Sequence, residues 1–166
     1  MYVDAAENLG LEFTKRNIAL IYGGGSIGLM GRIANAVHNG GGKVLGVIPA
    51  ALEPEAISGI TPGRVVVTSD MHERKAIMAA NSDGFVALPG GFGTLEELFE
   101  IITWRQLGEH AKPVGLLNVS GFFDSLLAFL QEVVDAGFIS TAVLSNLLID
   151  SDAARLLDRM NNYNSA

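Results

Sequence analysis

Short apolar runs alternate with longer segments of helical periodicity along almost the whole chain, and this alternation constrains the fold more than any other feature. Ile18–Tyr22, Val44–Ile48, Val65–Thr68, Phe85–Leu88 and Val114–Asn118 are rich in Val, Ile and Leu and lack polar alternation. Such runs suit strands of a parallel sheet covered on both faces. Between them, Asp4–Arg16, Ile27–Asn39, Met71–Asn81, Thr94–Leu107, Phe122–Ala136 and Ser151–Met160 read as helices. In the first of these, Ala5, Leu9 and Phe13 recur at i, i+4 and i+8. Strand–helix alternation predicts an α/β fold with parallel strands and right-handed crossovers. Ligands of such sheets bind beyond the carboxyl ends of the strands, which singles out the loops after Tyr22, Thr68 and Leu88. No linker, internal repeat or second domain is visible, so residues 1–166 are expected to form one domain.

Composition narrows the function. Apolar residues make up 49% and charged residues 17%, the reverse of a disordered chain. A net charge of −7 argues against binding a nucleic-acid polymer, which needs a basic footprint. It leaves room for a single nucleotide, because backbone N–H groups alone can build a phosphate site. With no cysteine there are no disulfides and no thiolate metal sites. The longest apolar stretch, Val114 to Val134, is broken by Asn118, Ser120, Gly121, Asp124 and Gln131, so no membrane span is expected. Met1-Tyr2-Val3-Asp4-Ala5 does not read as a secretory signal, and the cytoplasm is the expected location.

The most informative stretch is Leu88-Pro89-Gly90-Gly91-Phe92-Gly93-Thr94-Leu95-Glu96-Glu97. An apolar strand runs into a glycine turn, and a helix follows. Glycines let the backbone approach a ligand, and the first N–H groups of a helix point outward with the positive end of its dipole. Thr94 followed by Glu97 also matches a capping box. Spacing alone leaves two readings open, a capped helix and a phosphate cradle. Gly23-Gly24-Gly25-Ser26-Ile27-Gly28 formally matches a dinucleotide-binding turn. The acidic residue that turn requires is missing, since Val44–Ile48 runs into Pro49-Ala50 with no acid before Glu53. His38, His72 and His110 show no metal-ligand spacing, so no metal is expected. Trp104 reads as a packing residue.

Pro89-Gly90-Gly91-Phe92-Gly93-Thr94-Leu95-Glu96-Glu97 resembles the Pro-Gly-Gly-x-Gly-Thr-x-x-Glu motif of the LOG ("Lonely guy") family, nucleotide hydrolases long labelled lysine decarboxylases. Tyr22-Gly23-Gly24-Gly25-Ser26-Ile27-Gly28-Leu29-Met30-Gly31, Gly46-Val47-Ile48-Pro49, Asp70-Met71-His72-Glu73-Arg74-Lys75 and Ile102-Thr103-Trp104-Arg105-Gln106-Leu107-Gly108 resemble further family motifs in the same order. The resemblance covers roughly residues 2–150. It implies a Rossmann-like, doubly wound parallel sheet with helices on both faces. It implies a homodimer, and it implies hydrolysis of the N-glycosidic bond of cytokinin riboside 5′-monophosphates, and of AMP in some members. Arg74 and Glu97 then become the catalytic residues. Gly24, Gly25, Met71, Lys75, Pro89, Gly90, Gly91, Gly93, Thr94 and Glu96 become substrate-binding residues. No cofactor is implied.

The residue types suit that chemistry. Breaking an N-glycosidic bond builds positive charge on the ribose, which a carboxylate stabilises while orienting water. Adjacent helical residues diverge by about 100°, so Glu96 and Glu97 point to different places. An arginine stays protonated at working pH, which suits Arg74 to electrostatics and positioning rather than proton donation. Two rival readings compete with it. A pyridoxal-phosphate decarboxylase needs a Schiff-base lysine, and only Lys75 of Lys15, Lys43, Lys75 and Lys112 lies near the motifs. A non-catalytic nucleotide or molybdenum-cofactor carrier would not need both Arg74 and Glu97.

Family members begin with a strand and a Cys-Gly-Ser-Ser-x-Gly loop ahead of the first helix. Here that helix starts around Tyr2–Asp4. The expectation is that the absent strand belongs between Ile18–Tyr22 and Val65–Thr68. The chain would then be a shortened form lacking roughly 10–25 residues. Otherwise those two strands would pair directly in a six-stranded or smaller sheet.

Overall fold

A computed structural model of the chain describes residues 1–52 and 61–163. Its elements divide into two compact units, residues 1–82 and 83–166.

In the first unit the order is α1 (Tyr2–Lys15), β1 (Leu20–Tyr22), α2 (Gly28–Asn39), β2 (Val44–Pro49), a 3-10 turn (Ala50–Leu52), β3 (Arg64–Thr68) and α3 (Met71–Ala80). The strands form a parallel sheet in the order β1-β2-β3, with Leu20 opposite Val44 and Gly46 opposite Val65. The core is built from Ala6, Leu9 and Phe13 of α1, Ile33, Ala34 and Val37 of α2, and Val44, Val47 and Ile48 of β2. Helices α1 and α2 approach closely where Gly10 faces Ala36.

In the second unit the order is β4 (Phe85–Ala87), α4 (Phe92–Gln106), β5 (Val114–Leu117), a 3-10 turn (Val119–Gly121), α5 (Asp124–Asp135), α6 (Thr141–Ser145), β6 (Leu147–Asp150) and α7 (Ala153–Asn161). A second parallel sheet has the order β4-β5-β6. Leu98, Val114, Leu116, Phe123 and Leu147 form its central cluster. Among the described residues no helix is long and apolar enough to cross a membrane.

The α/β class, the parallel pairing and five expected strands are as the sequence predicts. Three expectations are corrected. First, β2 itself lies between β1 and β3, and those two strands do not pair directly. Consecutive strands joined by a right-handed crossover tend to become neighbours, which puts β2 beside both. Among the described residues each unit carries one parallel sheet of three strands. Second, β3 is not covered on both faces. Val65 and Val67 are 38% and 47% exposed on a strand that, among the described residues, pairs with β2 alone. Third, α5 starts at Asp124 rather than Phe122. Asn118 holds the preceding turn, accepting from the Phe123 N–H and donating to Asp124. Ser120 there has φ 51° and cannot continue a helix.

Candidate active site

Helix α3 carries Met71, Arg74 and Lys75, and its start is closely specified. The Asp70 carboxylate accepts the Glu73 N–H at 2.8 Å. Glu73 reaches back to accept the Ser69 N–H and the Ser69 hydroxyl, both at 2.7 Å. This is a reciprocal cap of the capping-box kind, which the sequence reading missed. These bonds hold both carboxyls below their usual range, Asp70 chiefly through the Glu73 N–H and Glu73 chiefly through the Ser69 N–H.

One turn further on, Arg74 and Lys75 are 8% and 9% exposed, buried rather than solvated cations. The Arg74 Nε–H donates to the carbonyl of Val47 in β2 at 3.1 Å, and Nη1 lies 3.8 Å from the Met71 sulfur. The same guanidinium lies against Gly23, the first residue after β1. An added Cβ at Gly23 would overlap Nη2 outright and sit 3.0 Å from Cζ. Gly24 has φ 77° and its carbonyl accepts the Thr61 hydroxyl, while Gly25 packs under the end of Met30. Gly23, Gly24, Met71 and Arg74 thus gather at the carboxyl ends of β1 and β2, with Gly25 next in the same loop and Lys75 buried next along α3. The exposed His72 is not part of this packing. Glu53, the nearest acid after β2, lies outside the described residues.

Tyr22, at the end of β1, was not singled out from the sequence. It is 6% exposed, and its hydroxyl has no hydrogen-bond partner among the described residues. Burial pushes its phenol up from 10.0 to about 12. A folded-state value above the unfolded one means stability that is full below pH 10 and is lost as pH rises toward 12. Tyr22→Phe also removes an unsatisfied buried hydroxyl. It is expected to melt no lower than the native chain at pH 7 and to keep more of its stability between pH 10 and 12. Melting curves at both pH values check this, and a lower melting point at pH 7 would count against it.

In the second unit, β4 leads through Leu88 and the buried Pro89 into the glycine loop. The structure corrects the expected cap here. Gly91, in extended backbone, is the N-cap of α4, which begins at Phe92 with no side-chain cap. Thr94 is already inside the helix, and its side chain packs over Gly90, where an added Cβ would overlap the hydroxyl. The first intrahelical bond runs from the Leu95 N–H to the Gly91 carbonyl. The N–H groups of Phe92, Gly93 and Thr94 precede it and lie at the positive end of the dipole. Added Cβ atoms at Gly91 and Gly93 would meet nothing, and Phe92 is 92% exposed, so this helix end is open to a ligand. Glu97 is half-buried one turn into α4, and the neighbouring Glu96 is exposed.

His110 is accounted for structurally: its ring contacts the Ile101 carbonyl and the Lys112 N–H and lies tilted against Phe85. Trp104 is half-buried. The Val47 carbonyl, which fixes Arg74, is a backbone group with no signature in the sequence.

Comparison with known proteins identifies the family. Residues 30–160 match the family described as "Possible lysine decarboxylase". The cytokinin riboside 5′-monophosphate phosphoribohydrolases LOG4 and LOG1 of Arabidopsis thaliana are 55% and 56% identical over 98% of this chain, covering 75% and 76% of their own lengths. A probable enzyme of the same kind from Oryza sativa, LOGL2, is 53% identical over 98% of this chain and 67% of its own. Among solved structures, the molybdenum cofactor carrier protein of Chlamydomonas reinhardtii matches 97% of this chain and 86% of its own with a TM-score of 0.70 and 25% identity. The molybdenum cofactor binding protein of Rippkaea orientalis matches the same shares with a TM-score of 0.73 at 20% identity, a likeness of fold. With more than half of its length in one family match and nearly all of it aligned to plant LOG proteins at over 50% identity, the chain belongs to the LOG family.

Proposed function

We propose that this chain is a phosphoribohydrolase that cleaves cytokinin riboside 5′-monophosphates, with AMP as a further substrate. Water adds its oxygen to C1′ of the ribose, the C1′–N9 bond breaks, and the base leaves with a proton. The products are the free base and ribose 5-phosphate. The α4 N-terminus carries this reading: three backbone N–H groups and a cap without a side chain suit a 5′-phosphate. Pro89, Gly90, Gly91, Gly93 and Thr94 bind that phosphate. Glu97 stabilises the cationic ribose and orients water. Arg74, with Lys75 beside it, supplies positive charge to the electron-rich departing base. Gly24, Gly25 and Met71 line the nucleotide, and Glu96, which diverges from Glu97 by about 100°, binds the substrate away from the reacting C1′. The carrier reading rests on relatives at 25% identity, against 55% for the hydrolases. The test is incubation with isopentenyladenosine 5′-monophosphate: free base and ribose 5-phosphate should appear in equal amounts. Tight nucleotide binding without product would favour a carrier instead.

The working form is a homodimer. On α4 only Leu98 is buried, leaving Phe92, Phe99 and the adjoining Leu107 exposed and Leu95, Ile102 and Trp104 part-covered. Apolar surface of this extent on a helix favours a protein partner. Light scattering at micromolar concentration should give twice the chain mass, and a monomer mass would contradict the assembly.

A further inference from the structure

The contacts around Arg74 assign a role to Gly23 that goes beyond lining a nucleotide pocket. We propose that Gly23 is a positioning residue: the space left by its missing side chain is the seat of the Arg74 guanidinium. This inference rests on the reading of Arg74 as a functional cation.

Three contacts define the seat. The Val47 carbonyl accepts from Nε at 3.1 Å, which fixes the guanidinium from the β2 side. The Met71 sulfur lies 3.8 Å from Nη1, one turn back on the same helix. On the third side Nη2 occupies the position where any residue but glycine at 23 would place its Cβ. An arginine side chain has four rotatable bonds and many rotamers, so the Val47 bond at Nε does not by itself fix the position of Nη2. Walls on three sides do. The overlapping atom is the far end of a flexible side chain and not backbone. A methyl group at 23 is therefore absorbed by moving Arg74 rather than by unfolding the loop. The functional cost follows from geometry, since a misplacement of about 1 Å at a catalytic group lowers rates by ~10²-fold.

The experiment is a double-mutant cycle on the full chain with Gly23→Ala, Arg74→Ala and the pair, read by turnover of isopentenyladenosine 5′-monophosphate, by melting temperature and by the Arg74 Nε–H resonance. Gly23→Ala should melt close to the native chain and lose about 10²-fold in kcat. In the Arg74→Ala background the same substitution should leave kcat unchanged within about twofold, because no guanidinium remains to be displaced. The Nε–H resonance, assigned by its loss in Arg74→Ala, should be protected from exchange in the native chain and lose that protection in Gly23→Ala. If Gly23→Ala melts lower, the seat predicts that the loss disappears in the double variant, where the space is vacant. Equal losses of kcat in both backgrounds overturn the proposal, as does an unmoved Nε–H resonance in Gly23→Ala. A native chain without hydrolase activity sinks the functional reading instead, and the resonance and melting arms still decide the seat.

Discussion

Glu97→Gln is expected to keep nucleotide binding and lose most turnover. Glutamine preserves the shape and hydrogen-bonding reach of the side chain while removing its charge. Glu97 sits half-buried one turn into α4, just before the core residue Leu98. Ground-state binding depends mainly on the phosphate and the base, which bear no new charge before the bond breaks. The ribose becomes cationic only in the transition state, and that is where the carboxylate acts. Loss of one such electrostatic group costs ~2.7–4 kcal/mol, about 10²–10³ in rate. Steady-state kinetics on the purified variant decide it: kcat should fall with KM little changed. Turnover near the native rate removes Glu97 from the catalytic role.

AMP should be cleaved with a far higher kcat/KM than adenosine. The N–H groups of Phe92, Gly93 and Thr94 open onto solvent at the start of α4. Hydrogen bonds to a charged group contribute ~1.5–3 kcal/mol each. Two of them give ~3–6 kcal/mol, about 10²–10⁴ in kcat/KM. Because the phosphate is remote from the breaking bond, its binding energy is available to orient the ribose, so kcat should fall as well as KM rise. Comparing AMP with adenosine at matched concentrations checks this. Equal kcat/KM for the two substrates removes the phosphate site from the reading.

The site was partly legible from residue types. Pro89 to Glu97 announced a strand, a glycine turn and a helix, and the structure places them so. The finer reading of that loop was wrong. Thr94 and Glu97 match a capping box in sequence, yet the helix begins two residues earlier and Gly91 is its cap. Local spacing cannot tell which of several turn residues ends the extended backbone. The real reciprocal cap, Asp70 with Glu73, has the same spacing and stands at the start of α3. Arg74 and Lys75 look like surface cations in a one-dimensional reading. Both are buried, and the seat of Arg74 depends on the Val47 carbonyl and on the absence of a side chain at Gly23, both distant in sequence.

The sequence by itself determined the α/β class, the cores of five strands and six helices, and the two glycine loops that follow β1 and β4. Those features depend on periodicity and backbone freedom, which are local properties. Tertiary structure decided the rest. It paired the short Leu147–Asp150 run with β5 as β6, a strand of four residues that no local pattern announced. It set β2 between β1 and β3, left Val65 and Val67 exposed, and gave each unit a parallel sheet of three strands. It also turned Arg74 inward. Strand order and side-chain burial depend on which distant backbone groups find each other, and that free energy exists only once the chain has folded.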